Sequence, residues 1–256
     1  MRVIVSSALV HMRQALSRSM FRYCLFLNPL GNAVLLGLMY SEQTDQTFTL
    51  YAVLGTSLTS FWTIICFSSA ADISREKYLG TLPVLFISPS GFKKIMFGKL
   101  LGNSLWGLVS FGLTLLFVWV FFGRFLAVQH ILLLLVFLLL AVLTFVSIGM
   151  LMCSAFTLSR SAQLLMNMIE FPFLLLTGMV FPLTILWQPL QYVAHLLSPT
   201  WIMKGFEIAV YGGSFREILI ALLGLVGLTV LDFFLADLAF RKIETKSRID
   251  ASLEVY

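Results

Sequence analysis

Residues 74–101, SREKYLGTLPVLFISPSGFKKIMFGKLL, are the longest charged interruption between the apolar stretches of this 256-residue chain. The charged side chains in this segment are Arg75, Glu76, Lys77, Lys93, Lys94 and Lys99. Between them, residues 78–87 are hydrophobic but too few to cross a bilayer, since a helical span needs about 20 residues. We interpret residues 72–94, which we call the hinge, as a helix-forming cytoplasmic loop that docks on another protein.

The composition of the chain is that of a membrane protein. Hydrophobic residues make up 59% and charged residues 11%, and the mean hydropathy is +0.97. Soluble domains carry about 25% charged residues. The net charge of +5 could indicate a nucleic-acid ligand, but its distribution along the chain points to membrane orientation, and we expect no nucleic-acid partner.

The apolar stretches predict an all-α membrane protein with six transmembrane helices. The predicted spans are residues 23–40, 48–71, 95–122, 130–156, 164–182 and 218–240. The remaining predicted elements are an N-terminal interfacial helix (1–22), a coupling helix in the hinge (72–94), an external re-entrant hairpin (183–216) and a cytoplasmic tail (241–256). Without an internal repeat or a low-complexity linker, we predict a single domain over residues 1–256.

The basic residues predict the orientation of these spans. Six spans place both termini on one side, and that side then carries 14 of the 17 Lys and Arg residues. The other side carries Arg124, Lys204 and Arg216. Because cytoplasmic loops carry the excess of Lys and Arg, both termini and the hinge are expected to be cytoplasmic.

Two predicted spans carry polar stripes. Thr56, Ser60 and Thr63 fall on one face of the second span, where successive positions are three or four residues apart. The fifth span carries Gln163, Asn167, Glu170 and Thr177. Polar side chains within spans serve as interhelical contacts or line a path, and the spacing of the second-span stripe leaves both interpretations open.

Glu170 is the strongest functional candidate among these residues. An ionisable side chain in an apolar helix is energetically costly and needs a cavity or a partner. It either lines or gates a path, or it is a structural carboxyl bonded to a neighbouring helix. Asp232 and Asp237, in the last span, are expected to pair with Arg241 or with other interfacial cations.

Enzyme signatures are missing from the chain. The three histidines are far apart, no G-x-S-x-G elbow occurs, and no Cys/His cluster could hold a metal. Gly91 and Gly98-Lys99-Leu100 approach a phosphate loop, but the spacing is six and Leu100 replaces the required hydroxyl. We therefore expect no catalytic residue, cofactor or metal in this chain, and no ATP binding by it.

Two groups of motifs resemble the ABC-2-type export permeases, the membrane subunits of many bacterial ABC exporters. In the hinge region these are Glu76-x-x-x-Gly80-Thr81-Leu82-x-x-Leu85, Ser88-Pro89 and Gly98-Lys99. Further on they are Thr177-Gly178-x-x-Phe181-Pro182 and Leu197-Ser198-Pro199-Thr200. Two departures are Pro83, where relatives often have Glu, and Lys204, an imperfect match to an expected basic residue.

The resemblance implies a membrane subunit that pairs with a second copy or a paralogue in the bacterial inner membrane. Two separate ATPase subunits, which hold ATP and Mg, would push on the hinge. The residues expected to couple to the ATPase are Arg75, Glu76, Lys77, Gly80, Thr81, Leu82 and Leu85. The residues expected to line the translocation path are Thr56, Ser60, Thr63, Asn167, Glu170 and Thr177.

The apolar surroundings of both stripes favour an amphipathic cargo, such as a drug, a lipid or an antimicrobial peptide. The competing hypothesis is an ATP-independent protein, either an ion-coupled transporter or an intramembrane enzyme that uses Glu170. Ion-coupled carriers often show two related halves with paired broken helices, and this chain shows no such pairing.

Overall fold

The structure, a computed structural model, describes residues 2–88, 91–123, 127–159 and 161–250. Pro89, Arg124 and Arg160, which take part in the predicted motifs and topology, lie outside these ranges, as do residues 251–256. The helices are α1 (Arg2–Ser17), α2 (Ser19–Met39), the single turn α3 (Asp45–Thr47), α4 (Thr56–Tyr78), α5 (Leu82–Ile87), α6 (Phe92–Phe122), α7 (Ile131–Leu158), α8 (Ala162–Leu176), α9 (Gln188–His195), α10 (Ser198–Tyr211) and α11 (Phe215–Asp250). A π-helical segment, Phe48–Gly55, leads directly into α4.

Five helices in the described ranges are long and apolar enough to cross a membrane. They are Ser19–Met39, Phe48–Tyr78, Phe92–Phe122, Ile131–Leu158 and Phe215–Ile243. They correspond to predicted spans one to four and six, so the all-helical, multi-pass architecture is confirmed. The helix at the predicted fifth span, α8, has only 15 residues, and a sixth crossing stays a prediction.

α8 is shorter than the predicted span because residues near its end stop the helix. Pro172 lies inside the helix and removes one backbone donor. The helix ends at Leu176, and Gly178 then adopts a φ of 74°. That left-handed conformation, which favours glycine, turns the chain before Pro182.

The helix Phe48–Tyr78 is the centre of the bundle, and most of its residues are buried. It packs against α2, α6, α7 and α8. Trp62, which is fully buried, stacks on Phe173 of α8 with ring centroids 4.1 Å apart. Gly107 of α6 leaves the space that the Phe61 ring fills. Large rings from α4 therefore set the distances to its neighbours.

The bundle has two ends, which we call the hinge end and the distal end. The hinge and residue 159 meet at the hinge end, where Lys77 binds Ser159. At the distal end, Tyr211 and Thr47 bond through their hydroxyls at 3.1 Å. The backbone amides of Gln129 and His130 also donate to the Ala209 carbonyl there, both at 3.0 Å.

α9 and α10 form a helical hairpin within the region predicted to be re-entrant. The hydroxyl of Ser198, at the start of α10, donates to Asp232 in the middle of α11 at 2.6 Å. α10 has 14 residues and is therefore about 21 Å long. It begins beside the middle of α11 and ends at the distal end, and a re-entrant path through the membrane stays a prediction.

The predicted ion pairing of Asp232 is wrong, because this residue lies in the middle of α11 beside the start of α10. Its carboxylate accepts a hydrogen bond from Ser198 because α10 begins beside it, far from the basic residues at the end of α11. For Asp237 the prediction is confirmed, since it pairs with Arg241 at 2.9 Å and with Lys93 of α6. α11 itself continues to Asp250, through residues predicted to form the tail.

α1 lies along α6 with close contact between the two backbones. A Cβ atom on Gly98 would lie 2.6 Å from the Ile4 carbonyl oxygen, and one on Gly102 would lie 3.0 Å from that of Ala8. Small residues four apart allow this approach. On α1, Leu9 is exposed, whereas His11 is buried on the side facing α6.

Candidate functional site

An ion pair fixes the end of α4 to α6 at the hinge. Lys99 Nζ lies 2.6 Å from Glu76 Oε1, and both side chains are largely shielded from solvent. The Thr81 hydroxyl donates to the other carboxylate oxygen of Glu76. Glu76 therefore joins α4, the turn after it and α6, and its carboxylate faces inward.

Lys77, the next residue, joins the same helix end to α7. Its ammonium group donates to the Phe156 carbonyl at 2.9 Å and to the Ser159 carbonyl at 2.5 Å. These carbonyls lie at the C-terminus of α7, where unpaired carbonyls and the helix dipole favour a cation. Two neighbouring side chains thus bind the end of α4 to two different helices.

Between these helices the hinge makes a short, sharp connection. α4 ends at Tyr78, Gly80 adopts a φ of 64°, and the six-residue α5 begins at Leu82 with Pro83 in its first turn. The charges predicted for the loop therefore lie on the ends of α4 and α6. The reason is that these long helices continue into the hinge, where basic residues suit the C-terminal turn of α4.

The predicted coupling residues divide into two groups. Glu76, Lys77, Thr81, Leu82 and Leu85 are buried or half-buried against the bundle, whereas Arg75 and Gly80 are exposed. The outer surface of the hinge also contains three apolar side chains that the prediction did not single out. They are Tyr78, which is 92% exposed, Leu79 and Val84.

At the first residue of the hinge, Asp72, lies a buried polar cluster that sequence reasoning missed. His11 Nε2 lies 2.8 Å from Asn103 Oδ1 and 3.1 Å from Asp72 Oδ2. Arg18 donates to the other oxygen of Asp72 at 2.7 Å. The available signal was an acidic residue one position beyond the predicted end of the second span, together with an Asn inside the third.

The polar stripe of the second span does not act as one surface. Thr56 donates to the Tyr51 carbonyl at 3.1 Å, and Ser60 donates to the Thr56 carbonyl at 3.0 Å. Ser60 also accepts a hydrogen bond from Thr114 of α6 at 3.2 Å. Both side chains are buried, so within one chain they serve helix packing.

Thr63 and Glu170 are the two predicted path residues that the structure brings together. Thr63 lies beside the carboxyl group of Glu170, which is only 9% exposed. Asn167 is exposed on α8. Thr177 is buried and donates to the Leu174 carbonyl at 3.2 Å.

A second close approach joins the turn after α8 to the π-helical segment. A Cβ atom on Gly55 would lie 2.2 Å from the Met179 carbonyl oxygen, and the Tyr40 hydroxyl donates to the Val180 carbonyl at 2.8 Å. The absence of a side chain at Gly55 therefore allows the Thr177-Gly178 turn to rest directly on the helix. Sequence reasoning missed Gly55, since a glycine in an apolar run shows nothing of what packs on it.

The family comparison covers most of these features. The family model described as ABC-2 family transporter protein matches residues 28–236. The chain belongs to this family. The match runs from α2 into α11, so the ABC-2 region includes the hinge, α8 and the α9–α10 hairpin. A search of curated proteins found no match. Within the described ranges, no group of His, Cys, Asp or Glu residues could hold a metal ion.

Proposed function

We propose that this ABC-2 family protein is the transmembrane permease subunit of an ATP-binding cassette exporter. It moves an amphipathic cargo, a drug, a lipid or an antimicrobial peptide, out of the cell. Separate ATPase subunits bind ATP and Mg and hydrolyse the nucleotide. The protein works beside a second copy or a paralogue in the bacterial plasma membrane, with both termini in the cytoplasm.

The outer surface of the hinge is the observation that carries this proposal. Tyr78, Leu79 and Val84 expose apolar side chains on a connection between two spans, and Arg75 lies beside them. Exposed apolar groups rimmed by charge are typical of a protein contact site. We assign this surface to contact with the ATPase subunit.

The contacts behind that surface supply the coupling. Glu76 and Lys77 bind the end of α4 to Lys99 of α6 and to the last carbonyls of α7. A force applied to Tyr78 or Val84 would therefore reach three spans directly. In this proposal Glu76 transmits force inside the permease and does not itself touch the ATPase.

The pair of Thr63 and Glu170 is our candidate for the path. It lies between α4 and α8, and Asn167 is exposed one turn earlier on α8. The same helix exposes Leu164, Met168 and Phe171, a surface for the second subunit. One carboxyl group among apolar side chains suits a cargo with a polar head and an apolar body.

Co-purification from native membranes tests the proposal. We expect an ABC ATPase to co-purify with the full-length chain and to hydrolyse ATP in the purified complex. Tyr78→Ser should reduce the amount of ATPase recovered. Tyr192→Ser, which changes another strongly exposed tyrosine outside the hinge, is the matched control and should not.

Two results would contradict the exporter proposal. One is a chain purified from native membranes without any ATPase. The other is transport in vesicles that persists without ATP, follows an ion gradient and is lost in Glu170→Gln. The second result would favour the ion-coupled alternative.

A further inference from the structure

A cavity of about 360 Å³ opens between the last turns of α10 and the first turns of α11. It lies at the distal end, because both helices reach the turn at residues 212–214 there. Small-molecule sites have volumes from about 300 Å³ upward. The cavity has no role in the proposed export function, and a ligand could bind in it whether or not the protein is an exporter.

One wall of the cavity presents a fixed ammonium group. Lys204 Nζ lies 2.9 Å from His195 Nε2 and 4.6 Å from the centre of the Trp201 ring. His195 Nδ1 donates to the Gln191 carbonyl at 2.6 Å, so Nε2 can accept from Lys204. A lysine has three N–H donors, and those not used by His195 remain available to an anionic group in the cavity.

Two carboxylates also line the cavity. Glu207, on the same face of α10 as Lys204, makes no hydrogen bond or ion pair with the residues that the structure describes. Glu217 receives the Ser214 backbone N–H at 2.8 Å, which holds its carboxylate in place at the start of α11. The lining therefore carries one more negative than positive charge.

This arrangement selects a ligand with charges of both signs. A plain anion would meet two carboxylates, and a plain cation would meet Lys204. A zwitterion can direct its anionic group to Lys204 and its ammonium group to Glu207, which lies three residues away on the helix and so on the same face. The Tyr211 ring, also in the lining, presents an aromatic surface to the ammonium group.

The surroundings indicate an amphiphile. Ile220 and Ala221 form the apolar part of the lining. Next to it on α11, Leu219 and Leu223 are exposed on the outside of the bundle, where an alkyl chain could lie against the helix. We propose that this cavity binds a phosphoethanolamine-type headgroup, with the phosphate at Lys204 and the ammonium at Glu207.

Lipid titration of the purified, full-length chain in lipid-free detergent tests the site. The probes are dihexanoyl phosphatidylethanolamine, dihexanoyl phosphatidylglycerol and free phosphoethanolamine, with bound molecules counted by native mass spectrometry. We expect the phosphatidylethanolamine to bind more tightly than the phosphatidylglycerol. Binding of free phosphoethanolamine at similar affinity would mean that the headgroup alone is recognised, and its failure to bind would mean that the alkyl chains are required.

The variants identify the two contacts. A hydrogen bond to a charged group is worth about 1.5–3 kcal/mol, so Glu207→Gln should weaken phosphatidylethanolamine binding about tenfold or more. Lys204→Gln should weaken the binding of both lipids, and Lys204→Arg should largely preserve it. Glu42→Gln, an exposed carboxylate outside the cavity lining, should change nothing.

Equal binding of the two lipids would overturn the proposal. So would unchanged phosphatidylethanolamine affinity in Glu207→Gln. If that variant instead altered the ratio of monomer to dimer without altering lipid affinity, the cavity would be a contact between copies of the chain and not a lipid site.

Discussion

His11 and Asp72 lie 3.1 Å apart, between Nε2 and Oδ2, at a point where the two side chains are only 1% and 2% exposed. They join α1 to the helix that forms the centre of the bundle. Nε2 also lies 2.8 Å from Asn103 Oδ1, so it carries the proton and donates it to these oxygens. His11 Nδ1 has no hydrogen-bond partner among the described residues.

This environment predicts a stability that depends on pH. Burial lowers the pKa of His11 below 6.5, as do the charges of Lys99 and Arg18, although Asp72 and the bond to Asn103 act in the opposite direction. The unfolded chain therefore takes up a proton before the folded chain does. Stability is full above about pH 6.5 and falls as the pH drops through the lowered pKa of the folded state.

Thermal unfolding of the detergent-solubilised protein at pH values from about 8 to about 5 measures this effect. We expect the melting temperature to fall on acidification and the fall to be smaller in His11→Gln, which cannot titrate. His130→Gln, a change at the distal end, is the control. The same pH dependence in His11→Gln and in the unmodified chain would disprove the assignment.

The ion pair between Glu76 and Lys99 predicts a coupling defect without an assembly defect. Glu76→Gln should leave membrane insertion intact but reduce ATPase-coupled transport, because the end of α4 is no longer held to α6. Leaving one partner of a charged bond unmatched costs about 1–3 kcal/mol, so a lower melting temperature should accompany it. Unchanged transport in Glu76→Gln and Glu76→Ala would remove Glu76 from the coupling machinery.

Exchanging the charges provides the sharper measurement. Lys99→Glu combined with Glu76→Lys should recover part of the stability that each single change loses, as expected for two residues in direct contact. Lys94→Gln changes an exposed lysine on the same helix and should behave like the unmodified chain. Strictly additive effects of the two exchanges would argue against the pair.

Thr63 is predicted to stabilise the carboxyl group of Glu170. Thr63→Val removes the hydroxyl that lies beside it and should destabilise the protein by about 1–3 kcal/mol, measured by denaturant unfolding in detergent. Thr59→Val is a matched control on the same helix. The Thr59 hydroxyl is buried without a hydrogen-bond partner among the described residues, so its removal should be neutral or stabilising. The reverse order of stabilities would contradict the Thr63–Glu170 contact.

Gly55→Ala should displace the turn after α8. The new methyl group would lie 2.2 Å from the Met179 carbonyl oxygen, and overpacking of this kind costs about 1–3 kcal/mol. Gly112→Ala is the control, because a Cβ there has no neighbour within 4 Å. Equal melting temperatures for the two variants would show that the turn does not rest on Gly55 in the membrane.

Much of the architecture could be predicted because it depends on local composition. Long apolar runs separated by charges mark the five spans, and the charged residues 75–77 mark the hinge. The length of α8 could not be predicted from hydropathy, since residues 164–182 are mostly apolar up to Pro182. Its end depends on the conformation of Gly178 and on the contact of the following turn with Gly55.

The polar contacts were harder to predict because they join residues far apart in the chain. The residue pattern within α1 could not reveal that His11 would contact Asp72 and Asn103 on other helices. The same limit explains Asp232, whose partner Ser198 lies on a hairpin of unpredictable depth. The proximity of Thr63 and Glu170 could be predicted more easily, since both are polar residues in apolar helices.

Glu76 and Lys77 are adjacent in sequence, yet one binds α6 and the other binds the end of α7. A small rotation of α4 about its own axis would therefore draw one of these helices along while releasing the other. The last turn of α4 would then convert one force applied at the hinge into opposite movements of α6 and α7.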